Sequence, residues 1–195
     1  MHGRIPARAL VWILVCLLGL GVSAVWLFRN RGEPPSSSNS ADYFDRLAIE
    51  KPSKVIPAPD FALKDISGKS ISLKSLKDRV IFLNFWATWC VPCRQEMPAM
   101  ERLHREFKGK GLVILAVNFR ETEEEIRPFM NELGLTFTVL LDRDGRVSEE
   151  YGAWSLPLSY IISRNGGFVG KAIGSREWDS SAARKLFDDL LEQTN

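Results

Sequence analysis

Three cysteines and two histidines are all the thiol and imidazole that this 195-residue chain holds. So few cysteines exclude a disulfide-stapled scaffold. Cys90 and Cys93 have no second pair to complete a four-ligand zinc site, and the histidines are His2 and His104. An excess of one charge is also lacking: Lys+Arg 26 against Asp+Glu 24 leaves +2. Residues 1–58 hold seven basic and four acidic side chains, which leaves nineteen and twenty for the remainder. The small excess therefore sits in an N-terminal arm, and the globular part has no basic footprint for nucleic acid. No internal repeat is visible. A hydrophobic share of 45% and a charged share of 26% exclude a wholly disordered chain.

One long apolar run is present, ALVWILVCLLGLGVSAVWLF over residues 9–28, with Ser23 its only clearly polar side chain. As a helix it spans about 30 Å, the thickness of a bilayer's hydrocarbon core. Trp12 and Trp26 stand near its ends, where indoles favour the interface. Two readings are open: an uncleaved anchor, favoured by apolar residues continuing to Phe28, or a signal peptide cleaved near Val22-Ser23-Ala24. Arg4 and Arg8 before the run balance Arg29 and Arg31 after it, so charge does not orient it. Residues 1–8 form a short tail, and residues 29–58, with Pro34-Pro35 and Ser36-Ser37-Ser38, have linker composition. Within that linker Tyr43 to Leu47 can form a short docking turn, which the sequence leaves undecided.

Residues 59–195 read as an α/β domain. Phe61 and Leu63, then Ile71 and Leu73, alternate about a turn at 65–68 and predict a β-hairpin. Val80 to Phe85 is a nearly continuous apolar run, as in a strand buried on both faces, and Leu112–Val117 and Phe137–Leu141 repeat the pattern. Met97, Met100, Leu103 and Phe107 follow helical spacing, as do Ile126, Phe129, Met130 and Leu133 after a Thr122/Glu125 capping box. Asn165-Gly166-Gly167 marks a second hairpin, and Asp179 can cap a final helix. The order hairpin, βαβαβ, short helix, hairpin, helix predicts a central mixed sheet flanked by helices.

Trp89-Cys90-Val91-Pro92-Cys93 lies between the first buried strand and the helix after it. Unpaired N–H groups and the dipole at a helix N-terminus stabilise an anion, so Cys90 is expected to be partly thiolate. Two intervening residues across one turn put Cys93 within reach, so one thiol can attack a disulfide and the other resolve the mixed disulfide. Pro92 suits the fixed φ of a first helical turn. A buried inert disulfide is the bland alternative, with little loop-closure gain to recommend it.

Phe85-Trp86-Ala87-Thr88-Trp89-Cys90-Val91-Pro92-Cys93 with Pro98 resembles the active-site segment of the thioredoxin superfamily. More narrowly, it resembles the TlpA/ResA branch of membrane-anchored thiol–disulfide oxidoreductases, over about residues 59–191. The resemblance implies a thioredoxin-like fold with an N-terminal hairpin extension and an N-terminal transmembrane helix. It makes Cys90 the attacking and Cys93 the resolving thiol. Glu96 matches an acidic residue of cytochrome-c-maturation members and is a third catalytic candidate, a carboxyl that would relay the proton of Cys93; an exposed helix glutamate is the alternative. Pro157 matches the family's cis-proline, and Leu156 beside it would offer backbone groups to a bound peptide, with Trp89 and Pro92 completing the substrate-binding set; a trans proline starting a strand is the alternative. Asn84 departs from thioredoxin's buried aspartate and cannot act as a base, and Leu158 stands where many relatives have threonine.

The implied activity is reduction of disulfides in exported proteins without a bound cofactor. Apocytochrome c is one such substrate, a membrane electron donor of the DsbD or CcdA type would regenerate the dithiol, and the domain would lie outside the cytoplasm. A peroxiredoxin-like peroxidase is one alternative, but Cys90 lacks a Pro-x-x-x-Thr-x-x-Cys setting. A Sco-like copper carrier is another, but no histidine follows His104. The aromatics Trp86, Trp89 and Trp154 fit either core positions or a partner-facing border. Glu121 to Glu125 reads as the solvated start of a helix.

Overall fold

The computed structural model describes residues 39–193. The predicted tail, anchor and first part of the linker (1–8, 9–28, 29–38) lie outside the described residues. Among the described residues no helix is long and apolar enough to cross a membrane.

Among the described residues seven strands form one mixed sheet: β1 Ala62–Asp65, β2 Ser70–Ser72, β3 Val80–Trp86, β4 Leu112–Phe119, β5 Thr138–Asp142, β6 Leu158–Ile162 and β7 Phe168–Ile173. Their spatial order is β2-β1-β5-β4-β3-β6-β7. The centre β5-β4-β3 is parallel, and an antiparallel hairpin completes each side. Every residue of β3 is buried, which is why its sequence runs apolar instead of alternating. The period of two is still legible in the packing. Val80, Phe82 and Trp86 face one core with the helices α2 (Val91–Phe107), α3 (Glu123–Leu133) and α5 (Ser181–Glu192). Ile81, Leu83 and Phe85 face a second core with Phe61, Tyr151 and Val147, the last from the short α4 (Arg146–Glu150).

The predicted capping box is present: Thr122 caps α3 and Glu125 accepts from the Thr122 N–H at 2.7 Å. Pro98 and Pro128 lie inside α2 and α3, and both helices continue past them.

The linker needs correction. Asn39–Arg46 is a helix, α1, and Tyr43, Phe44, Leu47 and Ile49 are buried in the first core. Apolar residues at positions 43, 44 and 47 share one helical face, and the Tyr43 hydroxyl donates to Asp189 of α5 at 3.1 Å. The chain then runs along β7: Glu50 pairs with Lys171, Ile56 O accepts from Phe168 N and Gly166 O accepts from Ala58 N. Residues 39–58 are therefore part of the folded body; their prolines and serines mask four well-placed apolar side chains.

Candidate active site

Strand β3 delivers the chain through the core to one end of the sheet, and Ala87-Thr88-Trp89 carries it to the first turn of α2. Cys90 is the N-cap of that helix. Its sulfur is bonded to that of Cys93, with S–S 2.07 Å and Cα–Cα 5.3 Å. Cys90 keeps 5% of its surface and Cys93 none. The outer sulfur is thus the one a second polypeptide can meet, and the inner one can act only on its neighbour. Cys93 N–H donates to Cys90 Sγ at 3.2 Å. In the dithiol form that donor and the helix N-terminus would favour a Cys90 thiolate.

Glu96 lies one turn beyond Cys93 on α2 and is 2% exposed. Three donors surround its carboxyl. Asn84 Nδ2 reaches Oε1 at 2.9 Å, while Trp178 Nε1 at 2.9 Å and the Arg176 N–H at 3.1 Å both reach Oε2. Burial pushes this carboxyl up to about 7, overriding the pull of those three bonds and of the Arg176 charge. The exposed-glutamate alternative is excluded. Asn84 also donates to Ser159 Oγ of β6 at 3.0 Å, so the amide at the departed position ties β3, α2 and β6 together.

The Leu156–Pro157 peptide is cis. Pro157 is buried, and its carbonyl accepts from Gly174 N–H at 2.8 Å. Leu156, Trp89 and Pro92 line a groove of about 490 Å³ that also holds Cys90, Val91, Phe119, Glu149, Ala153 and Trp154. Trp89 is 64% and Trp154 79% exposed, whereas Trp86 is fully buried against Phe129. Among these aromatics, two border the sulfurs and one is core.

The Glu121 reading is overturned. Glu121 is buried, and it accepts from Thr88 N at 2.7 Å, from the Thr88 hydroxyl, and from Asn118 Nδ2 at 2.6 Å. It clamps the loop that carries Trp89 and Cys90. The capping box held the signal: with Thr122 as N-cap, Glu121 precedes the helix and points back to the sheet edge. Trp178 and Arg176, which border Glu96, lie in an irregular segment after β7 and had no periodicity to reveal them. His104 of α2 is half-buried edge-on to Phe137 at 6.2 Å, and burial holds its pKa below the ordinary histidine value.

A mixed sheet that presents a Cys-x-x-Cys pair at a helix N-terminus beside a cis proline defines the thioredoxin-like thiol–disulfide oxidoreductases. Comparison with known proteins agrees. The family model described as AhpC/TSA matches residues 56–169. Thiol-disulfide oxidoreductase ResA of Bacillus thuringiensis (strain Al Hakam) is 42% identical over 119 residues, 61% of this chain and 69% of that protein. Thioredoxin-like protein YneN of Bacillus subtilis (strain 168) is 46% identical over 112 residues, 56% of this chain and 65% of the other. A Chlorobium tepidum crystal structure described as thiol:disulfide interchange protein DsbE superposes with a TM-score of 0.65 at 34% identity, covering 71% of this chain and 98% of that one. The chain belongs to the AhpC/TSA family, among its thioredoxin-like thiol–disulfide oxidoreductases of ResA and DsbE type.

Proposed function

We propose that this enzyme works outside the cytoplasm, tethered by residues 9–28, and reduces disulfides in exported proteins, apocytochrome c among them. The observation that carries the reading is the pairing of a barely exposed Cys90 at the N-cap with a fully buried Cys93 and a buried carboxyl one turn further on. Cys90 thiolate attacks one sulfur of a substrate disulfide; the substrate S–S bond breaks, a mixed disulfide forms and one substrate thiolate leaves. Cys93, deprotonated by the Glu96 carboxylate, then attacks Cys90 Sγ. The second substrate thiolate leaves, and the Cys90–Cys93 disulfide forms with its two electrons now on the substrate. A membrane dithiol donor of the DsbD or CcdA type would return the enzyme to the dithiol.

A carboxyl titrating near 7 can accept and return a proton at neutral pH, which supports the relay. The groove beside Cys90, with its two exposed indoles and the cis peptide of Leu156–Pro157, supports a polypeptide substrate over a small one. An oxidising space is where a tethered reductant has work to do, since soluble systems keep cytosolic thiols reduced. The test is trapping in cells with Cys93→Ser. A mixed disulfide between Cys90 and exported proteins is expected, and its absence under conditions that leave the protein folded overturns the reading; recovery of apocytochrome c selects that pathway.

A further inference from the structure

Two of the three donors to Glu96 come from one irregular segment, 174–178, between β7 and α5. The same segment donates Gly174 N–H to the carbonyl of Pro157. It thus touches both the carboxyl and the cis-proline loop, and what fixes it is the side chain of Arg176. Nη1 bonds the carbonyls of Gly174 at 3.1 Å and Ser175 at 2.9 Å, closing the segment on itself. Nε bonds Leu47 O at 2.5 Å and Nη2 bonds Ala48 O at 3.1 Å. Those two carbonyls follow the end of α1, and Ala48 turns there with φ of 45°, a left-handed conformation unusual for alanine. The turn is held on the other side by Ile49, whose methyl sits over Gly170 in the space that a Cβ at that position would take.

We propose that Arg176 is a positioning residue for Glu96, and that through it the docked segment 43–50 belongs to the apparatus that holds the active-site carboxyl in place. The inference rests on the relay role of Glu96 stated above. A planar guanidinium with a fork of donors suits four carbonyls spread over two segments; an ammonium on a flexible stem cannot span them. The charged group acting on Glu96 through space, among the described residues, is Arg176 itself. Asn84 of β3, Ser159 of β6 and Trp178 are uncharged neighbours, and the thiols of α2 titrate only when reduced.

The test is a ¹³C NMR titration of the Glu96 carboxyl in the disulfide form of the full chain, assigned by its loss in Glu96→Gln. Wild type is compared with Arg176→Lys, which keeps the charge but not the fork, and with Gly170→Ala, which displaces Ile49 without touching Arg176. Each is expected to raise the midpoint by roughly half a pH unit or more, because the donors that favour the carboxylate are loosened. The pH profile of disulfide reduction should move with it. An unchanged midpoint in natively folded Arg176→Lys overturns the positioning role. An unchanged midpoint in Gly170→Ala overturns the part played by segment 43–50, and that variant carries the test alone if Arg176→Lys does not fold. Shifted midpoints in a protein that reduces no disulfide would leave the positioning standing and remove the relay.

Discussion

A carboxyl with a folded-state pKa near 7 is a stability device as well as a chemical one. Raised from its ordinary 4.5, it makes the folded state the better proton binder, so its contribution is fully present below about pH 4.5 and is lost as pH rises through about 7. The difference amounts to about 3 kcal/mol. Glu96→Gln is therefore expected to flatten the fall in unfolding free energy between those pH values, as read from denaturant melts at each pH, and to slow disulfide reduction roughly 10- to 100-fold. Glu121 makes a separate prediction. Glu121→Ala leaves the Thr88 N–H and Asn118 Nδ2 without their acceptor, at a cost of about 1–3 kcal/mol in thermal or denaturant unfolding, with faster alkylation of reduced Cys90 as the loop loosens. These two residues show what a sequence holds and hides. Cys90 and Cys93 announce themselves because their spacing is their chemistry. Glu96 is ambiguous in the sequence, since one turn of helix can point at solvent or at a core, and only the arrival of Asn84 and Trp178 decides.

At the scale of elements, the strands and helices of the domain follow from runs and periods in the sequence, because β3 is apolar at every position but Asn84 and α2 and α3 keep a 3.6-residue stripe. Segment 39–58 did not follow, because eight helical residues among prolines and serines are too short a window for a period to stand out. Its burial is substantial all the same. Leu47→Ala is expected to cost about 2–4 kcal/mol, measured by chemical denaturation, where a free linker would cost nothing. The segment around Arg176 was illegible for another reason: its order comes from contacts with residues some 128 positions away in the chain.

For the whole molecule, the fold brings three distant stretches to one end of the sheet: the Cys-x-x-Cys turn, the cis-proline loop and the segment after β7. The proposed tether makes location a measurable property. The intact chain should sediment with membranes, and reduced Cys90 should react with an impermeant maleimide in unbroken cells; protection there would place the domain on the wrong side for the proposed substrates.

The chain that lies along β7 has one more consequence. With Glu50, Ile56 and Ala58 in place, the outer backbone groups of Lys171, Phe168 and Gly166 are satisfied, and the opposite border of the sheet is only the three residues of β2. A version cut at Pro59 would strip that cover and leave a bare template for cross-chain pairing. It would self-associate on concentration, whereas one cut before residue 39 would stay monodisperse in light scattering.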